Sequence, residues 1–576
     1  MTRFIIICSL VFITILLSVP VTVSQALPDG SSQSDNFPRD KWVYLINDLS
    51  TAGKLDSAIS IANTAGNHGL NGIVLAGQLD AISRWPEERL NNLKKFKAKC
   101  DELKIEIIPQ IFSAGYGGSV LGYNPNLAEG IPFTDIPFVV DGKVAKPDFG
   151  RTNLIHNSGF EEIGVDSKPL YYQLIENLNE AIFVDKNLSH TGNSSVRMEN
   201  FGSNEHGHCR IYQEFDLKNR TEYEVSVWVK TENLNPADSL RIIAFKPDMT
   251  GQLVSSYFDI PPKSTQNWTK YTFQFLSGDE KSTKLYFGTW GAKSGKVWID
   301  DLKVVPTSTA KDVIIRPGAQ LSVKSQNGSA TYEEGRDYET VSGISSLQSQ
   351  GQPLEIKLTS ESRIKDGNTV LVSGFSAAKI RKSNGGYQVG VCMSEPELYE
   401  YWESQIKFLY PVLKMKKAFL SMDEIRSGGT CDACKNRNMT MGEILGDCVT
   451  RQMMILRKFD KDMEIYIWAD MFDPNANARD NYYLTGSTYV GSWNHVPKDL
   501  IMACWIFKIR KKSLEFFSKE GFRFIGAPYY DRKSLDDTVE WYEDLKNNKN
   551  SIGIMYTTWK DDYSFLVQFG DYVNRE

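Results

Sequence analysis

Apolar and polar positions follow two textures along this chain. Residues 42–46 (WVYLI) form an unbroken apolar run that ends on Asn47 and Asp48, and residues 54–65 follow with apolar positions at helical spacing. The unit repeats as an apolar run at 72–76, a helix over 86–103 with Pro86 near its start and acids in its first turn, and a third run at 105–112. Runs apolar at every position, separated by helices, predict parallel strands buried on both faces. Near residue 150 the pattern becomes short period-2 stretches such as 223–229 (YEVSVWV) and 296–300 (KVWID) among Asn, Gly and Ser turns, which predicts a β-sandwich. Residues 307–385, rich in Ser, Gly and Gln, read as a small β and loop subdomain. Helical texture returns with Ser394-Glu395-Pro396-Glu397, a capping-box start for a helix to about 413, and Thr440 with Glu443 opens another to about 459. Strands are predicted at 418–422, 464–469, 500–507, 522–527 and 552–557, with helices between them.

Three strands before the insertion and five after it make eight. The predicted fold class is α/β, a (β/α)8 TIM barrel interrupted after strand 3 by a β-sandwich insertion and a small β subdomain. The domain plan is 1–26 signal peptide, 27–40 linker, 41–150 first part of the barrel, 151–306 sandwich, 307–385 subdomain, and 386–576 the rest of the barrel.

The first residues change the picture of location. Arg3, the apolar run 4–19 and the small residues Ser24 and Ala26 read as a secretory signal, with an uncleaved anchor as the alternative. The expected location is secreted, periplasmic or cell-surface, with no stable membrane span after signal cleavage. A net charge of −6 without a basic block argues against a nucleic-acid partner. The 12 Trp and 26 Tyr suit stacking on flat apolar ligand faces such as sugar rings. Beyond the leader stand Cys100, Cys209, Cys392, Cys431, Cys434, Cys448 and Cys504, an odd set that makes no complete disulfide framework. Cys431 and Cys434 form a C-x-x-C without a second pair at zinc-finger spacing, so it is expected to staple or shape its loop, with redox chemistry the lesser reading. His206, His208 and Cys209 read as a loop.

A barrel of this class places chemistry at the C-terminal ends of its strands. Those ends carry Asn47 and Asp48; Gln110 and Tyr116; Asp423, Glu424 and Arg426; Trp468, Asp470 and Asp473; Trp505; Tyr529 and Asp531; Trp559 and Asp561, with Trp493, Asn494 and His495 in the loop before strand six. Carboxylates and aromatics from at least five strands on one face make up a sugar pocket, and the adjacent Asp423-Glu424 pair points to acid/base work, since neighbouring like charges raise one pKa. The Asp-Glu pair on strand four, Tyr529-x-Asp531 on strand seven and Trp559-x-Asp561 on strand eight resemble glycoside hydrolase family 20, the β-N-acetylhexosaminidases, over roughly 41–150 and 385–576.

The resemblance implies an exported glycoside hydrolase that cleaves β-linked N-acetylhexosaminides with retention, the substrate's own 2-acetamido group attacking the anomeric carbon. Glu424 would protonate the leaving oxygen, and Asp423, ionised, would orient the acetamide nitrogen. Tyr529 would bond the acetamide carbonyl, Trp559 would floor the sugar subsite, and Trp468 and Trp505 would wall it. Asp531, Asp561, Asp470 and Arg426 complete the expected substrate-binding set, and no cofactor is needed for catalysis. The chain departs from the family at Leu420-Ser421-Met422, where His and Gly are usual, at Asn47-Asp48, where an Arg is common, and at Asp561, where Glu is usual.

The insertion opens with residues 153–162 (NLIHNSGFEE) and closes on 297–301 (VWIDD), resembling carbohydrate-binding modules of the family 4/9 type. That likeness implies stacking residues among Trp228, Tyr257, Trp268 and Trp290, and a structural Ca2+ for which Glu161 and Asp301 are the candidate ligands. The expected partner is an oligosaccharide or glycoconjugate. Two alternatives stay open: a retaining glycosidase of other specificity with Asp470 as enzymic nucleophile, and a non-catalytic glycan-binding surface protein.

Overall fold

The computed structural model describes residues 37–575 apart from 149–151, 204–205, 219–220, 254–257, 260–261, 279, 308–309, 348–350, 352, 382–385 and 529–530. The expected signal peptide, most of the linker, Tyr257 and Tyr529 lie outside the described residues. Eight strands pair in chain order into a closed parallel barrel: β1 (Asp40–Ile46), β2 (Gly72–Ala76), β3 (Glu106–Ile111), β4 (Lys417–Leu420), β5 (Glu464–Trp468), β6 (Ile501–Cys504), β7 (Arg523–Gly526) and β8 (Ser551–Tyr556). The ring closes where Trp42 of β1 pairs with Met555 of β8.

Both strand faces are apolar because both are buried. Trp42, Tyr44, Val74, Ile108, Phe419, Tyr466, Trp468 and Met555 fill the interior. Their sequence neighbours Val43, Leu45, Ile73, Ile107, Ala418, Ile465 and Ile467 face the helical layer. That layer holds α1 (Ala52–Asn67), α2 (Glu87–Glu102), α3 (Pro396–Leu413), α4 (Met441–Arg457), α5 (Arg510–Lys519), α6 (Asp536–Lys546) and α7 (Leu566–Val573). The strand–helix alternation fails once. Between β5 and β6 the described chain makes only the short 3-10 turns Asp470–Phe472 and Ser492–Asn494 and a two-residue strand, because residues 473–499 are dense in Asp, Asn, Gly and Pro and lack helical periodicity.

Thr440 forms the expected capping box with Glu443 at α4. The box expected at Ser394 does not form. Glu395 is the N-cap of α3 without a side-chain capping bond, and its carboxylate is drawn instead to the buried Arg316, whose Nε donates to it at 2.7 Å.

Two sheets of five strands make the sandwich around a core that includes Phe160, Val196, Val225, Phe287 and Ile299. A further six-stranded sheet gathers the expected subdomain, but it also takes Gly130–Asp141 and Val144–Pro147, which were expected to belong to the barrel. Gly130–Asp141 pairs antiparallel with Thr369–Ala377, so the barrel's first part ends near residue 129 rather than 150. Phe133, Ile136, Phe138 and Val140 pack into this sheet's own core. Among the described residues no helix is long and apolar enough to cross a membrane.

Candidate functional site

After β4 the chain turns across the barrel mouth as Ser421 to Arg426, and Asp423 and Glu424 diverge. Glu424 sits at φ 47°, a left-handed backbone that costs a non-glycine residue about 1–3 kcal/mol and needs its surroundings to hold it. Two clamps do so: its N–H donates to Asp470 Oδ2 at 2.9 Å, and its carbonyl accepts from Gln388 Nε2 at 2.7 Å. The same amide of Gln388 reaches the carbonyl of Gly115 at 3.1 Å. Gly115 must lack a side chain, since a Cβ there would stand 2.4 Å from the Asp423 carbonyl oxygen. The Glu424 carboxylate accepts from the Tyr116 hydroxyl at 2.5 Å and pairs with Arg426 Nη2 at 2.8 Å. Arg426 in turn donates to Gln388 Oε1 and lies 5.1 Å from the Tyr483 ring centre.

Asp423 belongs to a chain of hydrogen bonds that crosses the mouth. The Tyr44 hydroxyl donates to Gln110 Oε1 at 2.7 Å, Gln110 Nε2 to Ser421 Oγ at 3.1 Å, and Ser421 Oγ to Asp423 Oδ1 at 3.2 Å. Burial, then the charges of Asp470 and Glu424, push the Asp423 carboxyl up to about 7. Burial likewise pushes Asp470 up, to about 6. Asp423 is expected to be ionised from the sequence; in the fold its burial, with the charges of Asp470 and Glu424 beside it, raises that carboxyl instead. Asp470 is itself approached by three N–H donors. Its Oδ2 accepts from Glu424 N and, at 2.7 Å, from Asn477 Nδ2, while Trp505 Nε1 approaches Oδ1 at 3.4 Å.

The aromatic residues separate by depth. Trp468, expected to wall the site, is 1 % exposed and belongs to the barrel interior, edge-on to Phe419 and Tyr44. Strand parity explains this, for Tyr466 and Trp468 are the inward residues of β5. Trp559 is 43 % exposed and leans edge-on against Tyr44 at 5.2 Å, with Trp468 behind it at 5.7 Å. Trp505 is half-buried and anchors Asp470. Asp531 accepts from Thr558 Oγ1 at 2.5 Å and from the Trp559 N–H at 2.8 Å, so it shapes the strand-eight loop. Trp493 packs away from the mouth, edge-on to Phe516.

A cavity of about 420 Å³ opens on the β1–β3 side, lined among others by Asn47, Asp48, Gln110, Tyr116, Ser421 and the exposed Asp561. Its size suits a small-molecule site. Neither Asp423 nor Glu424 lines it directly, but Ser421 and Tyr116, which bond them, do. Gln388, Asn477 and Tyr44 escaped the sequence reading. Gln388 and Asn477 come from loops without a motif, and Tyr44 reads as an ordinary strand residue.

In the insertion, Trp228 stacks on His190 at 3.8 Å, and Trp268 meets the same imidazole edge-on at 5.8 Å. Trp228 and Trp268 lie on neighbouring strands of one sheet. Trp290 stands apart, following a strand of the other sheet, near Arg210 and His208. Glu161 Oε1 accepts from the N–H groups of Asn193 and Ser194, while Asp301 faces His190 Nδ1 and the Thr191 hydroxyl at 2.5 and 2.6 Å. Glu161 Oε1 and both oxygens of Asp301 thus have partners within the sandwich.

The fold and mouth define an eight-stranded parallel barrel carrying an inserted carbohydrate-binding-type sandwich. Residues 152–295 match the family model CBM_4_9, described as a carbohydrate binding domain. Among curated proteins no sequence match is found. Similar solved structures include TmCBM61, a carbohydrate-binding module in complex with β-1,4-galactotriose, at 15% identity over 27% of this chain and 99% of that one, TM-score 0.21. The CBM22-1 xylan-binding domain of Paenibacillus barcinonensis Xyn10C matches at 12% identity over 28% and 99%, TM-score 0.20. An arabinose-bound α-L-arabinofuranosidase, MgGH51, matches at 10% identity over 75% of this chain and 76% of that one, TM-score 0.22.

Proposed function

We propose that the chain is an exported glycoside hydrolase whose (β/α)8-type barrel cleaves β-linked N-acetylhexosaminides by substrate-assisted retention, with the sandwich holding the glycan nearby. The observation that carries this reading is the state of Asp470. It is the one candidate for an enzymic nucleophile, yet both its oxygens are engaged by N–H groups and it is buried, which suits a residue that positions Glu424. A retaining enzyme whose candidate carboxylate is occupied in positioning its acid can take the nucleophile from the substrate instead.

In this reading Glu424 moves the proton of the leaving oxygen, with Tyr116 and Arg426 fixing its carboxylate. Asp423 meets the acetamide nitrogen. A carboxyl poised near neutrality is pulled into its ionised form by a positive oxazolinium-like intermediate beside it, so charge develops on the protein as it develops on the sugar. Trp559 offers an open aromatic face across the mouth, suited to the apolar face of a pyranose. Tyr529 would bond the acetamide carbonyl. No cofactor is required for these steps.

The test is a panel of 4-nitrophenyl glycosides on the wild type and Glu424→Gln. Turnover of a β-GlcNAc or β-GalNAc substrate, reduced about 10²–10⁴-fold in the variant, is the expected result. Turnover only of sugars without an acetamide group would overturn the substrate-assisted step. No turnover alongside glycan binding that is lost in Trp228→Ala would leave a binding protein.

A further inference from the structure

Cys392, Cys431, Cys434 and Glu129 converge from three separate segments into one buried cluster, with one ligand atom from each lying within 4.8 Å of all the others. Their exposures are at most 2 %, Glu129 included. Cys392 Sγ lies 3.4 Å from Cys431 Sγ and 3.6 Å from Cys434 Sγ. A disulfide needs about 2.05 Å. Sulfurs at two corners of a zinc tetrahedron with bonds of about 2.3 Å stand about 3.8 Å apart. The thiols are therefore at near-chelating distances, and the fourth corner is a carboxylate: Glu129 Oε2 faces Cys434 Sγ at 3.7 Å.

The other oxygen of Glu129 is already committed. Oε1 accepts from the Thr430 N–H and hydroxyl, both at 3.1 Å, and from the Cys431 N–H at 3.2 Å. Such outer bonds orient a one-oxygen ligand and leave Oε2 directed at the sulfurs. Arg316 completes the surround. Its Nη2 reaches Cys431 Sγ at 3.4 Å while Glu395 and the carbonyls of Asn126 and Ala128 hold the guanidinium in place. Gly318, at the turn after Arg316, lets that segment press on the short helical turn Asp432–Lys435, since a Cβ there would meet Ala433 Cβ at 2.4 Å.

We propose that Glu129, Cys392, Cys431 and Cys434 form a closed S3O structural site for a zinc-class divalent cation. Arg316 stands beside the cluster but reaches only Cys431 Sγ among its sulfurs, so a cation at the centre would be the one partner that all four groups share. Ligands drawn from residue 129, residue 392 and the loop after Glu424 would tie the exit and return of the insertion to the loop that carries Asp423 and Glu424. The site is invisible to motif spacing because only two of its four ligands are near in sequence. Binding exchanges the thiol protons for the metal and is independent of what the barrel hydrolyses.

The test uses the full chain, expressed with zinc present and purified without chelator. Elemental analysis should find about one zinc per chain, lost in Cys392→Ser and Cys434→Ser. The reduced, metal-stripped protein should bind Co2+ with thiolate charge-transfer bands and the d–d bands of a tetrahedral site. Glu129→Gln keeps the shape of the side chain, so it serves even where a cysteine variant fails to fold; it should retain the charge-transfer bands and alter the d–d bands. Three results would overturn the proposal: no metal as purified together with no uptake of Zn2+ or Co2+ by the reduced protein; an intact mass lighter by two hydrogens, from a Cys392–Cys431 or Cys392–Cys434 disulfide that persists with zinc present; or a cobalt spectrum unchanged by Glu129→Gln, which would remove the carboxylate corner.

Discussion

Replacing Asp423 with Asn should stabilise the fold while disabling the proposed reaction. The folded chain holds the Asp423 proton up to about pH 7, whereas an unperturbed aspartate releases it at 3.8. Between those values the folded state binds more protons than the unfolded one, so this group's contribution falls as pH rises. At about 1.4 kcal/mol per tenfold change in proton affinity, the full difference is about 4 kcal/mol, and sharing one proton with Asp470 brings the expected figure to about 2–4 kcal/mol. Asn cannot ionise, can still accept from Ser421, and removes the repulsion of Asp470. The expected gain appears at pH 8 and shrinks toward zero near pH 4. For a barrel of this size that corresponds to a rise in Tm of about 3–7 °C by scanning calorimetry of the full chain at pH 8. A gain independent of pH, or a lower Tm at pH 8, would refute the account of a half-buried carboxylate held against its preference. The same variant should lose turnover, the usual exchange of stability for function at a strained site.

Other expectations follow from the same contacts. The proposed reaction needs Asp423 ionised, so kcat/KM should climb as pH rises through about 6–7, the range set by the Asp423 and Asp470 carboxyls, and a flat profile there would count against it. Asp470→Gly should lose activity by releasing the Glu424 N–H and should gain nothing from azide; recovery of activity as a glycosyl azide would reinstate an enzymic nucleophile. Gly115→Ala drives a methyl into the Asp423 carbonyl, so it should lower kcat strongly while leaving the far-ultraviolet circular dichroism unchanged; an active variant would show the β3 loop able to yield.

How much of this was legible in the chain differs by level. Strands buried on both faces announce themselves as continuous apolar runs, and the eight barrel strands lie where those runs predict. Asp423 and Glu424 were legible as a pair because adjacent carboxylates at a strand end are unusual. Their division of labour was not, since it depends on Asp470, 46 residues after Glu424, and on which side chain turns inward. Trp468 looks like a ligand-facing aromatic in sequence, and only strand parity puts it in the core. The strands at 130–147 read as part of the barrel because their partner, Thr369–Ala377, lies beyond the whole sandwich, a pairing no local pattern encodes. A missing helix between β5 and β6 was concealed by the regularity of everything around it. That stretch carries Asp470 and Asn477 to the mouth, so its irregular backbone is part of the site.

The insertion is structurally bound to the barrel mouth it interrupts. A domain placed between β3 and β4 could leave and return at the barrel's edge without touching the mouth. Here the exit supplies Glu129, which takes the N–H groups of Thr430 and Cys431. The return passes through Tyr387–Val389, from which Gln388 bonds the carbonyls of both Gly115 and Glu424 and the guanidinium of Arg426. Glu424 adopts a strained backbone, and one of the two bonds that hold it comes from this returning strand. An excision that joins β3 directly to α3 would thus remove Gln388 along with the sandwich, free Arg426 and let Glu424 relax out of the left-handed region. Excising only the sandwich between the two runs of the six-stranded sheet leaves Gln388 in place, so the two deletions separate any part the insertion plays in binding glycan from its part in holding Glu424.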